Sequence, residues 1–402
     1  MLSGQDLNVF VVAGEESGDR LGAALIAALK RATQGRVRFA GVGGAQMRVE
    51  GVETLFPIDE LSMIGFASMP ARLPKILARI RQTAEAAVAA RPDVLVIIDC
   101  PEFTHRVARK VRERDPTIPI VDYVCPSVWA WRPGRARRMR GYVDHVLALL
   151  PFEPEVMERL DGPPTTFVGH PLSEQVALLR PNPEEARQRM VGPPLLLVLP
   201  GSRTGEIRRM AAIFGNAVEQ IAAVAGPIEV VVPAVRRLAD LTQAATAKWA
   251  MPVTVAVDAA AKHAAMRKAR AALTKSGTST LELALAGVPM AAAYKVPLIE
   301  EIVGRLLITA KSAILTNLIL GENVVPEFLQ RDCKPTKLAQ AVLPLLSDTP
   351  QRRRQVEAFA RLNRLMEIGR ESPSDRAASL VIDCTRGRAQ SKRRPMARTL
   401  SV

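Results

Sequence analysis

Short apolar runs alternate with longer amphipathic segments along the whole sequence, and this alternation constrains the fold most strongly. The runs are rich in β-branched residues, which indicates strands, and the segments between them have helical spacing. The predicted strands are Val9–Val12, Val94–Ile98, Ile118–Tyr123, Val143–Leu150, Leu195–Leu199, Ile228–Val232, Val253–Val257, Ala269–Thr274 and Pro289–Ala293. Continuous apolar strands separated by helices predict an α/β fold whose parallel sheets are covered on both faces.

The alternation occurs twice, which predicts two domains. A chain of 402 residues is long enough for two or three. The segment 161–194 is rich in Pro and Gly, which favours a linker between two α/β halves. We predict Rossmann-like, doubly wound domains over 1–175 and 190–349, with ligands bound beyond the carboxyl ends of the strands, in a cleft between the domains. The basic, polar segment 386–402 predicts a disordered tail.

The charge and the scattered cysteines narrow the class of function. The formal net charge of +15 favours anionic partners such as phosphorylated metabolites, lipid headgroups or nucleic acid. The four cysteines are far apart, which indicates a reducing compartment and argues against a disulfide framework. Neither the cysteines nor the four histidines cluster, so we predict no metal site.

The hydropathy and the N-terminal residues predict a cytosolic protein. The first residues lack the basic region of a signal peptide and soon reach Glu15 and Glu16. No run of about 20 apolar residues is present, so we predict no membrane span. Contact with a membrane surface remains compatible with this pattern.

Residues 275–289, KSGTSTLELALAGVP, place a glycine and four hydroxyl residues ahead of an apolar helix. Gly277 allows a tight turn, and Ser276, Thr278 and Ser279 are candidate N-caps. Free N–H groups at a helix start attract an anion such as a diphosphate. The carboxylate of Glu282, about one turn further on, can accept hydrogen bonds from two ribose hydroxyls. Alternatively, Glu282 only complements the helix dipole.

Two further strand ends carry candidate chemistry. Asp99 ends the VLVII run, where a carboxylate suits a general base, although a turn or cap is the alternative. Gly201, Ser202 and Arg203 follow the first strand of the second half, which suits phosphate or uracil binding. In the alternative interpretation, Arg203 pairs with Glu206.

The first loop carries three acids in six residues, and these acids would repel a phosphate. Glu15, Glu16 and Ser17 therefore suit sugar hydroxyls better than a dinucleotide. Alternatively, Ser17 or Asp19 caps the following helix. The GVGG sequence at 41–44 lacks a third glycine, so we interpret it as a structural turn.

Two tryptophans and an arginine occur at WAWR, residues 129–132, ahead of a run of arginines. Trp131 and Arg132 suit an acceptor phosphate or anionic lipid headgroups. Nucleic acid ranks last because no DNA- or RNA-binding module is present. A solvated basic helix face with packed tryptophans is the alternative.

The segment Leu61–Ile80 is a candidate for contact with acyl chains or a membrane surface. Apolar Met63, Ile64 and Phe66 precede basic residues on a predicted helix, a pattern typical of shallow membrane contact. An ordinary amphipathic core helix is the alternative.

Taken together, these motifs resemble the lipid-A-disaccharide synthase family. The matching blocks lie between about residues 9 and 335 and read VAGEESGDRLGA, IDCPEF, PSVWAWRPGRARRM, LPFEPE, FVGHPL, LPGSRTGEI, SGTSTLE and TNLILGENVVPEFLQ. The resemblance implies a GT-B fold of two Rossmann-like domains facing a cleft, with 350–385 packing back onto the first domain. It also implies an inverting, metal-independent glycosyltransferase without a cofactor, on the cytoplasmic face of the inner membrane, with a homodimer among the family's known states. The implied reaction joins diacylglucosamine, from its UDP derivative, to diacylglucosamine 1-phosphate through a β-1,6 bond.

The resemblance also implies residue roles. Asp99 matches the family's proposed base, and Gly201, Ser202 and Arg203 match its donor loop. Asn317 is a further candidate for donor contact. Position 275 departs from the expected pattern, because a lysine stands where a small neutral residue is expected. We interpret Lys275 either as a contact to the diphosphate or as an exposed side chain.

Two rival hypotheses stay open from sequence alone. One is another GT-B enzyme, such as a UDP-N-acetylglucosamine epimerase, which would differ in its acceptor. The other is a basic, non-enzymatic protein that binds lipid or nucleic acid, with binding that depends steeply on salt and is indifferent to Asp99.

Overall fold

The computed structural model describes residues 6–61, 69–297, 301 and 312–392. These residues form two compact units. Unit 1 takes the described residues up to Pro171 and those from Ile368 onwards, and unit 2 takes those between Leu172 and Glu367.

Unit 1 is built on a parallel sheet. Its strands are β1 Leu7–Ala13, β2 Val37–Val42, β3 Glu53–Thr54, β4 Val94–Ile98, β5 Ile120–Tyr123, β6 His145–Ala148 and β7 Thr165–Phe167. Their spatial order is β3-β2-β1-β4-β5-β6-β7, with every pair parallel. Its helices are α1 Glu16–Ala32, α2 Ala45–Val49, α3 Met69–Ala90, α4 Pro101–Arg114, α5 Gly134–Met139 and α6 Glu153–Arg159.

The apolar strands of unit 1 are continuous because both faces of the sheet are covered. Along β1, Phe10 and Val12 join one core cluster, which also contains residues of α3 and α4. Val9 and Val11 join the cluster on the other face, where α1 packs. Alternate residues of a strand point to opposite faces, so a sheet buried on both sides needs apolar residues at every position.

Unit 2 repeats the same strand order. Its strands are β8 Leu195–Leu199, β9 Glu229–Pro233, β10 Thr254–Ala256, β11 Ala271–Lys275, β12 Met290–Tyr294 and β13 Glu327–Leu329, ordered β10-β9-β8-β11-β12-β13. Its helices are α7 Val176–Leu179, α8 Pro183–Gln188, α9 Thr204–Ala225, α10 Ala239–Thr246, α11 Ala259–Lys268, α12 Thr278–Leu285, α13 Leu315–Leu320, α14 Pro335–Val342 and α15 Pro350–Met366. Helices α9 and α14 supply much of the core on one face.

Both sheets have a topological switch point. In unit 1 the chain order reverses between β1 and β4, and in unit 2 it reverses between β8 and β11. In doubly wound sheets, ligands bind outside the carboxyl ends of the strands at this point. We therefore expect the functional residues to lie in the loops after these four strands.

The final helices correct the predicted domain boundaries. Helix α15 belongs to unit 2, where the side-chain amide of Gln355 exchanges two hydrogen bonds with the backbone of Met290 at the start of β12, at 2.8 and 3.0 Å. The return to unit 1 therefore begins at Ile368 and not near residue 350. Helix α16, Pro373–Lys392, packs on α1 through buried residues such as Val381.

The predicted linker and tail also need correction. Strand β7 lies inside the predicted linker 161–194 and completes the sheet of unit 1. The predicted disordered tail, 386–402, starts too early, because the backbone of 386–392 continues α16. Residues 393–402 lie outside the described part of the chain.

Candidate active site

The turn after β4 holds Asp99 in an uncommon backbone conformation. Asp99 has φ +54° and Cys100 has φ +47°, in the left-handed region that residues other than glycine seldom adopt. The side chain of Asp99 is half-buried. Its Oδ2 accepts a hydrogen bond from the hydroxyl of Ser17 at 2.7 Å, and its Oδ1 accepts one from the Cys100 N–H at 2.8 Å. Both carboxylate oxygens are therefore fixed in direction.

The loop after β1 lies against this turn and completes it. A side chain at Gly14 would place its Cβ 2.7 Å from the sulfur of Cys100, so only glycine fits there. Ser17, predicted from sequence as a sugar-binding or capping residue, donates its hydroxyl hydrogen to Asp99. Glu15 and Glu16 are exposed beside it. The switch point of unit 1 thus carries a fixed carboxylate with two acidic neighbours.

Asp19 has a structural role that the sequence did not predict. It is buried, and its carboxylate accepts N–H groups of Gly44, Gln46 and Met47 at 2.8, 2.9 and 3.0 Å. It therefore caps α2 and not its own helix, whose N-cap Glu15 makes no side-chain capping bond. The GVGG segment serves as the structural turn that receives Asp19.

The loop after β5 presents Trp131 between two arginines. The guanidinium carbons of Arg132 and Arg135 lie 4.3 and 5.4 Å from the centre of its ring. Arg135 also bonds Glu102, in the first turn of α4, at 2.5 Å. Burial opposes ionisation of Glu102, but the hydrogen bond and charge of Arg135 lower its pKa. Arg132 keeps a half-exposed guanidinium.

The sequence analysis did not predict a set of buried, interacting polar side chains on β5 and α4. Asp122 on β5 and His105 on α4 are both buried, with Asp122 Oδ2 3.1 Å from His105 Nε2. The other ring nitrogen of His105 lies 3.0 Å from the Tyr142 hydroxyl. Burial raises the pKa of Asp122, and the charge of His105 opposes that rise. The one available signal was an aspartate within the otherwise apolar strand.

In unit 2, the loop after β8 presents an exposed hydroxyl and an exposed guanidinium next to a glycine with positive φ. Gly201 has φ +137°, and a Cβ there would lie 2.5 Å from the Cβ of Glu206. Ser202 and Arg203 are exposed. The buried carboxylate of Glu206 accepts the Ser202 N–H at 3.0 Å. This acid in the first turn of α9 therefore fixes the loop and leaves its outer residues accessible.

The loop after β11 also contains a glycine with positive φ. Gly277, at φ +152°, is the N-cap of α12, and it has no side chain with which to cap. The predicted caps are not used: the Ser276 hydroxyl is buried and donates to the carbonyl of Ala313 at 2.6 Å, and Thr278 is the exposed first residue of the helix. The start of α12 therefore presents backbone N–H groups that its own side chains do not cap.

Lys275, where the resemblance led us to expect a small neutral residue, lies between the two loops of unit 2. Its ammonium is 3.0 Å from Glu206 Oε1 and 4.9 Å from the centre of the Tyr294 ring. The side chain is largely buried, so the interpretation of an exposed lysine is wrong.

Two predicted donor contacts already have protein partners. Both oxygens of Glu282 accept hydrogen bonds from Lys262, each at 2.8 Å. Asn317 is buried; its amide nitrogen donates to Val325 O and Glu327, and its amide oxygen accepts two backbone N–H groups. An asparagine side chain has no further hydrogen bonds to offer, so we assign Asn317 a structural role in place of donor contact.

The predicted lipid-contact segment lies partly outside the described residues. This applies to Met63, Ile64 and Phe66. Helix α3 exposes Leu73 and Leu77, at 44% and 46% of their surfaces. Among the described residues, no helix is both long and apolar enough to cross a membrane, and no group of three or more His, Cys, Asp or Glu is placed to hold a metal ion.

The two Rossmann-like units, each with polar loops at its switch point, define the GT-B fold class. A putative UDP-N-acetylglucosamine 2-epimerase from Listeria monocytogenes has a similar fold, at 12% identity and a TM-score of 0.59, with 97% of this chain and 98% of that chain covered. MurG from Acinetobacter baumannii is similar at 14% identity and a TM-score of 0.56, with 94% and 99% covered. At these identities the likeness shows the fold alone.

Sequence comparison identifies the family. The family model described as lipid-A-disaccharide synthetase matches residues 9–381. Lipid-A-disaccharide synthase from Nitrobacter hamburgensis is 56% identical over 375 residues, with 93% of this chain and 95% of that protein covered. The corresponding protein from Rhodospirillum centenum is 41% identical over 379 residues, with 94% of each chain covered. The chain therefore belongs to the lipid-A-disaccharide synthase family, and it is a glycosyltransferase, which confirms the resemblance seen in the sequence.

Proposed function

We propose that this chain transfers diacylglucosamine from its UDP derivative to diacylglucosamine 1-phosphate, with Asp99 as the general base. The observation that carries the proposal is the Asp99 turn, whose carboxylate is fixed at both oxygens at the switch point of unit 1. Strained backbone of this kind persists where the surrounding structure enforces it, and it is concentrated at functional sites.

Asp99 would take the proton from the acceptor's 6-hydroxyl as that oxygen attacks the anomeric carbon. The attack comes from the face opposite UDP, so the new bond is β and the configuration inverts. The hydrogen bonds from Ser17 and Cys100 fix the direction of the two carboxylate oxygens, and each oxygen keeps a further lone pair for the substrate. A positioned base of this type contributes about 10²- to 10⁴-fold to the rate.

The loops of unit 2 would hold the donor and the departing UDP. The exposed Ser202 hydroxyl, the exposed Arg203 guanidinium beside Gly201, and the uncapped N–H groups at Thr278 would bind a diphosphate. Glu282 would accept the ribose hydroxyls, and its ion pair with Lys262 would orient the carboxylate. The bond that breaks joins the anomeric carbon to the diphosphate, and both electrons leave with UDP.

The acceptor would bind at the loops of unit 1. Arg132, stacked on Trp131, suits the 1-phosphate, and the exposed Glu15 and Glu16 suit sugar hydroxyls. The net charge of +15 supports contact with the anionic surface of the inner membrane on its cytoplasmic side.

We propose that no metal or cofactor is required, because Arg203 and the start of α12 offer positive charge to the leaving group. A homodimer is a further proposal, which sedimentation would test.

The test is a mass-spectrometric assay of purified protein with both substrates, with EDTA and no added metal. We expect disaccharide and UDP from the wild type, and at least about 100-fold less product from Asp99→Asn. The matched control is Asp348→Asn, which removes an exposed acid outside the strand-end loops and should retain wild-type activity. Circular dichroism checks that each variant is folded.

Each alternative has its own outcome. A fully active Asp99→Asn would assign the base elsewhere. No disaccharide, with loss of UDP-N-acetylglucosamine to its epimer in a parallel incubation, would favour the epimerase. No turnover, together with salt-dependent DNA or vesicle binding that Asp99→Asn leaves unchanged, would favour a binding protein.

A further inference from the structure

Lys275 connects three neighbouring strand ends in unit 2. It is the last residue of β11, which lies between β8 and β12 in the sheet. Its ammonium pairs with Glu206, beyond the end of β8, and lies over the ring of Tyr294, at the end of β12. Its side chain is 16% exposed, so the charge is held in one place.

Glu206 contacts both Lys275 and the loop after β8 that contains Ser202. Its Oε2 accepts the Ser202 N–H at 3.0 Å, while its Oε1 is 3.0 Å from Lys275. Burial opposes ionisation of Glu206, but the hydrogen bond and charge of Lys275 lower its pKa. The carboxylate is therefore charged, and it orients the loop.

Arg203 competes with Lys275 for the same carboxylate. Its guanidinium lies 3.8 Å from Glu206 Oε1 and is 81% exposed. A charged, mostly buried carboxylate without a partner is costly, so it attracts the nearest cation. If Lys275 were absent, Arg203 would be that cation, and it would turn away from solvent and from an incoming diphosphate.

We propose that Lys275 is a positioning residue for the donor, which acts through Glu206 and does not itself contact the diphosphate. By neutralising Glu206, it keeps the Ser202 loop in place and leaves Arg203 extended for the ligand. This inference rests on the proposed binding of a UDP-sugar in unit 2, and it explains a lysine where the family pattern led us to expect a small neutral residue.

A double-mutant cycle measured by calorimetry with UDP tests the proposal. We expect Lys275→Met to weaken UDP binding about tenfold, the equivalent of one charge-assisted hydrogen bond. Glu206→Gln removes the charge that would capture Arg203, so Lys275→Met in a Glu206→Gln background should return to within about threefold of the wild type. Lys337→Met, which breaks the more exposed pair with Asp332, is the matched control and should bind UDP normally.

The other outcomes overturn the proposal in distinguishable ways. A double variant that stays as weak as Lys275→Met would mean that Lys275 contacts the diphosphate directly. Lys275→Met with a lowered melting temperature but normal UDP affinity would give Lys275 a purely structural role. If Lys275→Met does not fold, Lys275→Gln, which keeps a hydrogen-bond donor, replaces it with the same expectation of rescue. A wild-type protein that does not bind UDP would overturn the donor site itself, and this proposal with it.

Discussion

Both units have residues with positive φ in their switch-point turns, but the residue types differ between the two units. In unit 1 the turn after β4 places Asp99 and Cys100 at positive φ, although neither is glycine. In unit 2 the turns after β8 and β11 use Gly201 and Gly277 at positive φ. In the proposed mechanism, unit 1 needs a carboxylate at this turn, so the strain of a side chain is retained there. Unit 2 would need accessible backbone N–H groups at the start of α12, for which glycine is suited.

The largest expected effect is at Asp99, where one substitution tests the backbone strain and the proposed role as general base separately. Asp99→Gly should lower turnover by at least about 100-fold, because the base is lost. It should also leave the free energy of unfolding unchanged or raise it by up to about 1 kcal/mol, since glycine adopts positive φ without strain. Turnover assays and urea unfolding measure the two effects. Clear destabilisation would mean that the hydrogen bonds of the carboxylate outweigh the strain.

The next effect tests whether Asn317 belongs to the fold or to the donor site. Asn317→Ala removes a buried amide that bonds Val325 and Glu327 among others, so we expect the free energy of unfolding to fall by roughly 3 kcal/mol. UDP affinity of the folded fraction should stay within about threefold of the wild type. Stable protein with weak UDP binding would restore the donor-contact interpretation.

Glu153, at the start of α6 in unit 1, predicts a dependence of stability on pH. Burial raises its pKa from 4.5 to about 7, against the hydrogen bonds from the Leu150 N–H and Trp129. The folded state thus binds this proton more tightly than the unfolded state. The stabilisation is present below about pH 4.5 and is lost as the pH rises through 7.

We therefore expect the wild type to lose roughly 2–3 kcal/mol of unfolding free energy relative to Glu153→Gln between pH 5 and pH 8. Urea unfolding of both proteins at the two pH values measures the difference. Parallel behaviour of the two proteins would show that Glu153 titrates normally. Burial opposes ionisation of Glu206 in unit 2, but the hydrogen bond and charge of Lys275 lower its pKa, so its contribution to the pH dependence has the opposite sign.

The smallest expected effect is on the stability of variants at two glycines, Gly201 and Gly226. Gly201→Ala should destabilise the protein by roughly 2 kcal/mol, because its Cβ would meet Glu206 as well as require positive φ. Gly226→Ala, also at positive φ but facing open space, should cost only about 1 kcal/mol. Thermal unfolding of both variants gives the comparison, and equal losses would show that the backbone angle alone decides.

The sequence predicted the central strands better than the peripheral ones. Buried runs such as Val94–Ile98 and Leu195–Leu199 were found with correct bounds, because both of their faces are apolar. Strands β2, β3, β7 and β13 were not predicted: each lies towards an edge of its sheet and is largely only partly buried. Burial on one side leaves a short, mixed sequence without a clear pattern.

The sequence by itself determined the two α/β halves, the family and the positions of the strand-end loops, because hydrophobic period and local motifs are properties of neighbouring residues. Only the tertiary structure decided what each polar side chain binds. Asp19 caps a helix that begins at residue 45, Lys275 pairs with Glu206, and Asp122 meets His105. These partners are separated along the chain, and the packing of parallel strands brings them together, so no local pattern could have predicted them.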